Sequence, residues 1–419
     1  MTVFFTLIYN FVLFCYVKLI QLAALFNPKA SKWIEGRKNI FKYIKNTVDP
    51  STYNVWFHCA SLGEFEQCRP LIERYKETFA SHKIVLTFFS PSGYEIQKKY
   101  DKADHIFYLP IDSKKNAQQF ISLINPKLSV FVKYEFWWHY IYTLNKKNIP
   151  VILVSGIFRK DQLFFSVLGA PFKAILHLYN QLFVQDNDSL QLLNSIQVNN
   201  VQVAPDTRFD RVLAIAKEPF LQPALELFCK NSSIFIGGST WPEDEKIIAE
   251  LFRNSLAPNK IKLILAPHEI SEKHIEVLNH QFNNAILYSN ATAINENTQV
   301  IIINSIGLLS RIYRYGNWAY VGGGFGNGIH NILEPAVYGL PVFFGPNWKK
   351  FNEAKKLLAN GGAFCVTNYN ELNKYFEPIE SVTGNTYKNI AENNKKFVAD
   401  NGGGTEKILS YIKSIMAGL

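Results

Sequence analysis

Three short stretches of this chain carry residue types that could do chemistry. The first is Ser61-Leu62-Gly63-Glu64, which follows an apolar run at 55–60 and opens a helical pattern reaching about residue 79. A carboxylate in the first turn of a helix is held ionised by the helix dipole. At hydrogen-bond distance from a hydroxyl it could act as a general base. A plain first-turn helix acid fits the same residues equally well. The second stretch, 318–346, reads as strand, glycine-rich loop and helix start. Its glycines allow close backbone approach, and unpaired N–H groups at a helix start favour a phosphate. Asn331 reads as the N-cap of a helix over 332–338, ended by Gly339-Leu340-Pro341. Glu334, three residues on, either closes a capping box with Asn331 or accepts from the vicinal hydroxyls of a ribose. The third stretch, Asp206-Thr207-Arg208-Phe209-Asp210, offers Arg208 as a cation to a negatively charged ligand.

Other loop residues fit the same theme. Ser239 and Thr240 follow a strand and precede an acidic helix start, where they either cap the helix or touch a phosphate. Pro267 and His268 end another strand. His330, inside the glycine-rich loop, could donate to a phosphate. A dinucleotide fingerprint would use Gly322, Gly324 and Gly326, but Asn327 stands where its last glycine belongs, so a nicotinamide or flavin cofactor is not expected. The histidines and the five cysteines show no metal-ligand spacing, and no metal is expected.

The elements that must position these residues alternate. Strand-like apolar runs at 55–60, 84–89, 105–109, 128–132, 151–155, 182–185 and 201–204 are separated by helical segments such as 114–124 and 136–147. After a softer stretch at 206–222 the same grammar restarts, with strands at 233–236, 261–266, 285–288, 300–303, 318–321 and 341–344. This pattern predicts an α/β protein: two Rossmann-like, doubly wound parallel-sheet halves facing a cleft. The expected organisation is an anchor helix at 1–28, an N-terminal domain at 29–205 and a C-terminal domain at 206–384. Helices at 385–419 are expected to cross back to the N-terminal domain.

The 3–26 stretch is apolar, interrupted mainly by Asn10, Lys18 and Gln21, and long enough for a bilayer at ~20 residues. Lys29, Lys32, Arg37, Lys38, Lys42 and Lys45 follow. By the positive-inside rule that flank stays cytoplasmic, so the remainder of the chain is expected on the cytoplasmic side. No basic segment precedes the apolar run, as a signal peptide would require. Whether the anchor spans the bilayer or lies in its interface is left open by the sequence. The formal net charge of +10 over 419 residues calls for an acidic partner, such as an anionic membrane or a phosphorylated substrate.

Taken in order, these motifs resemble the 3-deoxy-D-manno-octulosonic acid (Kdo) transferase family, which has the GT-B fold. The resemblance rests on 61–64, Ser90-Pro91-Ser92-Gly93, the 108–112 run, Phe209-Asp210, 238–240, the His330 to Pro335 segment and Gly345-Pro346. It implies inverting transfer of Kdo from CMP-Kdo to the tetraacyl disaccharide bisphosphate precursor of lipid A, at the inner membrane and without a cofactor. It makes Glu64 the general base and Arg208 the transition-state stabiliser, in place of a family lysine. It puts Lys133 where relatives have an acid, with Glu135 matching a second family acid. It lines the CMP site with Ser239, Thr240, Pro267, His268, Ile306, Gly307, Leu308, Gly328, His330, Asn331, Ile332, Leu333 and Glu334. His268 stands in place of a family arginine. Implied partners are the donor, the lipid acceptor and an anionic membrane face, with no nucleic acid. Three alternatives remain: a membrane-bound transferase using a UDP-sugar, a nucleotide-sugar epimerase and a non-catalytic nucleotide-binding module.

Overall fold

The computed structural model describes residues 2–166, 169–283 and 285–417. The chain forms two compact units, 1–210 with 403–419 and 211–402. The outermost residues of the expected anchor and C-terminal segments, Met1, Gly418 and Leu419, lie outside the described residues.

The first unit holds a seven-stranded parallel sheet: β1 (Asn54–Cys59), β2 (Lys83–Phe88), β3 (His105–Tyr108), β4 (Pro126–Val132), β5 (Val151–Gly156), β6 (Gln181–Val184) and β7 (Val201–Val203). Their order is β3-β2-β1-β4-β5-β6-β7. The central strands are largely buried on both faces, which is why they appear in the sequence as mainly apolar runs, broken by His58 in β1 and Ser129 in β4. One face packs Phe57, Leu86, Val130 and Ile152 against the helix Leu62–Thr78 and the last helix, Gly404–Met416. Asp210 ties that last helix down, accepting from the N–H groups of Gly403 at 2.5 Å and Thr405 at 2.7 Å.

The second unit repeats the plan with β8 (Ile234–Thr240), β9 (Lys262–Pro267), β10 (Ile286–Leu287), β11 (Val300–Ile302), β12 (Trp318–Val321), β13 (Val342–Phe344) and β14 (Ala363–Cys365). The order is β10-β11-β9-β8-β12-β13-β14, again all parallel.

Several expectations need correction. The 206–222 stretch is not soft: Thr207–Lys217 is helical, and the crossing between units falls after Asp210. The helix Asn385–Asp400 belongs to the second unit, so Gly404–Met416 is the helix that returns. Strand β14 is additional. Arg37 is not part of a free basic flank. Its guanidinium donates to the carbonyls of Leu109, Trp33 and Phe89 at 2.7–2.8 Å and lies 3.9 Å from the Trp33 ring centre. Burial pushes its pKa down to about 9.

Candidate active site: the carboxyl ends of two parallel sheets

In open α/β sheets, ligands bind beyond the carboxyl ends of the strands. In the first unit, the chain leaving β1 turns at Ala60-Ser61 and enters the helix Leu62–Thr78, with Glu64 at its third position. Glu64 Oε2 accepts from the backbone N–H of Ala60 at 2.5 Å and of Ser61 at 3.1 Å. These bonds hold the carboxylate at the turn, half-buried. Its pKa is pushed up to about 7, first by burial and then by the nearby Glu135 carboxylate, against the two backbone bonds and Lys133. This corrects the expectation that the helix dipole keeps it simply ionised: desolvation outweighs a first-turn dipole effect, which is worth only ~0.3–1 kcal/mol.

Glu135 follows β4 and belongs to a buried chain of side chains. His58 Nε2 lies 3.0 Å from Glu135 Oε2, and Trp137 Nε1 donates to the same oxygen at 2.5 Å. On its other side, His58 Nδ1 meets Thr87 Oγ1 at 2.8 Å, and that oxygen accepts from Trp56 Nε1 at 2.7 Å. These bonds form one continuous buried chain, and Trp137 Nε1 also reaches His58 Nε2 at 3.1 Å. Trp56 N–H donates to Thr87 Oγ1, and the His58 ring bridges Thr87 and Glu135 through its two nitrogens. The His58 ring thus holds in place the Glu135 side chain, whose charge in turn raises the Glu64 pKa. The register of β1 on β2 sets this chain, because it places His58 directly opposite Thr87. Lys133 has φ +64, a strained setting for a non-glycine residue, just past the end of β4. Such outliers cluster at functional sites, and its charge acts on Glu64.

Arg208 is held by Asp206, whose Oδ2 accepts from Arg208 Nε at 3.0 Å and Nη2 at 2.8 Å. Burial would raise the Asp206 pKa, but Arg208 and the surrounding donors bring it below the usual carboxylate value. Asp206 also accepts from Gln67 Nε2 at 2.9 Å, and the Thr207 hydroxyl donates to the Gln67 carbonyl. Arg208 is therefore tied to the helix that carries Glu64, one turn further along.

In the second unit, the loops after β11, β9, β8, β12 and β13 come from neighbouring strands and share one sheet edge. They bring together Ile306–Leu308, Pro267–His268, Ser239–Trp241 and the glycine-rich loop. Ser239 has φ +51 at a register shift between β8 and β9, a bulge that re-aims its side chain. Trp241 stacks on His268 at 4.7 Å, and His268 stacks on His330 at 4.5 Å. Trp241 Nε1 also donates to His330 Nε2 at 3.3 Å. Burial, with His268 close by, lowers the His330 pKa to about 4, so near neutrality it is an uncharged ring whose proton sits on Nδ1. Sequence reasoning missed Trp241, although it directly follows Ser239-Thr240.

The glycine-rich loop is packed more tightly than a simple phosphate cradle. A side chain at Gly324 would come within 2.6 Å of the Gly345 backbone, and Gly323 has φ +92. The N–H of Gly323 donates to Asp244 Oδ2, and those of Gly326 and Gly328 donate to the Gly323 carbonyl. The expected helix at 332–338 is shorter, Leu333–Ala336, too short to build a large macrodipole. The capping box is also altered: Asn331 Oδ1 accepts from the Leu333 N–H at 3.2 Å, and Asn331 Nδ2 donates to Glu334 Oε1 at 3.2 Å.

Three expected lining residues turn inward. Ile332 and Leu333 are fully buried in the core beneath the loop, because the apolar side of this single turn faces the sheet. Thr240 is also buried, and its hydroxyl donates to Glu245 Oε1 at 3.0 Å. Ile306, by contrast, is 88% exposed, beside Gly307 with φ +91. Among the described residues, no group of three or more His, Cys, Asp or Glu side chains is placed to hold a metal.

Residues 34–211 match the family model described as 3-deoxy-D-manno-octulosonic-acid transferase (kdotransferase). A 3-deoxy-D-manno-octulosonic acid transferase of Aquifex aeolicus is 30% identical over 324 residues, covering 76% of this chain and 83% of the relative. The enzyme of that name from Haemophilus influenzae is 24% identical, covering 83% and 84%. Among solved structures, a putative UDP-N-acetylglucosamine 2-epimerase from Listeria monocytogenes superposes with a TM-score of 0.57 at 13% identity, covering 87% of this chain and 97% of that one. At that identity the likeness shows the fold alone, the GT-B pairing of two Rossmann-like parallel-sheet domains.

Proposed function

Since the chain belongs to the 3-deoxy-D-manno-octulosonic acid transferase family, we propose that this GT-B glycosyltransferase moves Kdo from CMP-Kdo to the bisphosphorylated lipid A precursor, with inversion. The observation that carries the reading is the placement of Glu64 at the carboxyl end of β1, held by the Ala60 and Ser61 N–H groups and raised to a pKa of about 7 by burial and Glu135. A carboxylate poised near the operating pH is matched to general-base work on a sugar hydroxyl.

In this mechanism Glu64 takes the proton of the acceptor hydroxyl. The oxygen attacks the anomeric carbon of Kdo from the face opposite the phosphate, and the anomeric C–O bond breaks to release CMP. Glu135 sets the basicity of Glu64, and Lys133 limits how far it rises. Arg208, oriented by Asp206, stabilises the charge developing on the leaving phosphate. In the second unit, Ser239 and the edge of the His330 ring serve the nucleotide phosphate, and Gly328, whose N–H is taken by the Gly323 carbonyl, leaves room beside them. Glu334 takes the ribose hydroxyls, and the Trp241–His268–His330 stack offers a flat apolar platform for the cytosine. Ile306, Gly307 and Leu308 border that region. The apolar N-terminal helix and the basic surface hold the protein at an anionic membrane, where the lipid acceptor resides.

The test is to incubate the purified protein with a lipid acceptor and either CMP-Kdo or UDP-sugars, and to weigh the lipid product by mass spectrometry. A mass increase of one or more Kdo units, only with CMP-Kdo, is expected. Transfer only from a UDP-sugar overturns the donor assignment. A sugar product formed without acceptor points to an epimerase.

A further inference from the structure

The apolar N-terminal helix α1 (Thr2–Ala23) is long enough to cross a bilayer, yet between Phe5 and Tyr16 one of its faces touches the first unit. Phe5 is buried, with ring contacts to Trp138 and Phe172 at 5.2 Å. The Tyr9 hydroxyl donates to Asp112 Oδ2 at 2.5 Å, and Asn10 Oδ1 lies 2.7 Å from His139 Nε2. Further along, the Tyr16 ring packs on Trp33 and Phe89 at 6.2 Å. At about 100° per residue, Phe5, Tyr9 and Tyr16 share one face within ~40°, while Leu7, Phe11 and Phe14 lie on the opposite side. Those three are each about 60% exposed. We propose that α1 lies in the plane of the membrane surface, one side against its own domain and the other in the lipid leaflet, and does not cross the bilayer. The proposal rests on the membrane association argued above and adds its geometry.

The physical case is one of length and polarity. The docked segment from Phe5 to Tyr16 covers about 16 Å at ~1.5 Å per residue, roughly half of a ~30 Å hydrocarbon core. A spanning α1 keeping these contacts would draw Asp112 and His139 into hydrocarbon. One that released them would leave Asp112, buried and accepting from the N–H groups of His139 and Tyr140, without its hydroxyl partner. The in-plane pose also explains why α1 carries apolar residues on both sides: one face touches its own domain, the other meets acyl chains, and Lys18 on that outer face can reach up to the headgroups.

Charge complementarity names the occupant as anionic lipid. The helices that follow, α2 (Pro28–Glu35) and α3 (Ile40–Thr47), carry exposed Lys29, Lys32, Lys42 and Lys45. Beside α1, a cavity of about 700 Å3 is lined by Leu7, Trp138 and Tyr142, with Lys114, Lys146 and Lys147 around it. With α1 in the surface plane, this cavity sits at headgroup depth. It fits an amphiphile whose phosphate meets the lysines and whose chain follows Leu7 and Trp138.

The test places a protease-cleavable tag at each end of the full chain and probes sealed membrane vesicles with protease before and after permeabilisation. An in-plane helix leaves both tags on one side, so they are cleaved together. One tag cleaved and one protected until permeabilisation overturns the in-plane pose while keeping membrane association. A protein that stays in the soluble fraction, as monomer or dimer, overturns both. In flotation with vesicles of phosphatidylcholine with or without phosphatidylglycerol, the Phe11→Glu, Phe14→Glu double variant is expected to lose at least tenfold in binding. The Lys114→Gln, Lys146→Gln, Lys147→Gln variant is expected to lose only the preference for phosphatidylglycerol. Full binding by the first variant, or an unchanged preference in the second, contradicts the proposal.

Discussion

The two sheet edges are built from opposite materials. In the first unit, the edge concentrates titratable groups: Glu64, Glu135, Lys133 and His58 act on one another through burial and short hydrogen bonds. In the second, it is made of glycine backbone, a stack of aromatic rings and the half-buried Glu334, with Asp244 and Glu245 buried beneath as hydrogen-bond acceptors. The first arrangement tunes a proton affinity, and the second shapes a surface. On the proposed mechanism the contrast separates chemistry from binding between the two units, and the two kinds of variant are expected to behave differently.

The largest effect expected is from Glu64→Gln, which keeps the backbone acceptor but not the base. Transfer should fall by ~10²-fold or more, on general-base magnitudes, while CMP affinity stays within twofold on a binding titration. Near-normal turnover would remove Glu64 from the mechanism. Next, Glu334→Ala should weaken CMP binding by about tenfold, the scale of a lost hydrogen bond to a charged group, with the rate at saturating donor little changed. If instead the saturated rate collapses with binding intact, the division between the units is wrong.

Stability should sharpen the same comparison. A carboxylate whose folded pKa is about 7, against 4.5 ordinarily, binds more protons in the folded than in the unfolded state between those values. Its contribution to stability therefore falls as pH rises through that window. Glu64→Gln should accordingly raise Tm relative to the parent at pH 8 and not at pH 4. Melting curves at the two pH values check this, and an equal shift at both would contradict it. The smallest effect expected is from Asp210→Ala, which removes the cap of the returning helix and should cost about 1 kcal/mol in urea unfolding, with CMP binding unchanged.

How much of this was legible in the sequence follows from what each feature depends on. The parallel strands showed as apolar runs because both their faces are buried, and Glu64 showed because a strand, a turn and a helix start are local events. Strand β14 is only Ala363–Cys365 and half exposed in part, too short a pattern to stand out. The helix Thr207–Lys217 was obscured by the prolines that follow it. The relay from Thr87 through His58 to Glu135 joins three separate strands by register, and no local spacing announces it. The inward turn of Thr240 depends on Glu245 waiting beneath it. Sequence spacing showed which loops meet at each edge but not which side chains point outward from them.

The central claim is that Glu64 is the base and that burial beside Glu135 sets its pKa. The most direct measurement is the pH dependence of kcat/KM for transfer, in the parent and in Glu135→Gln. The parent should lose activity below an inflection near pH 7, and Glu135→Gln should move that inflection to lower pH. A parent profile flat down to pH 5, or an inflection that Glu135→Gln leaves in place, would contradict the account.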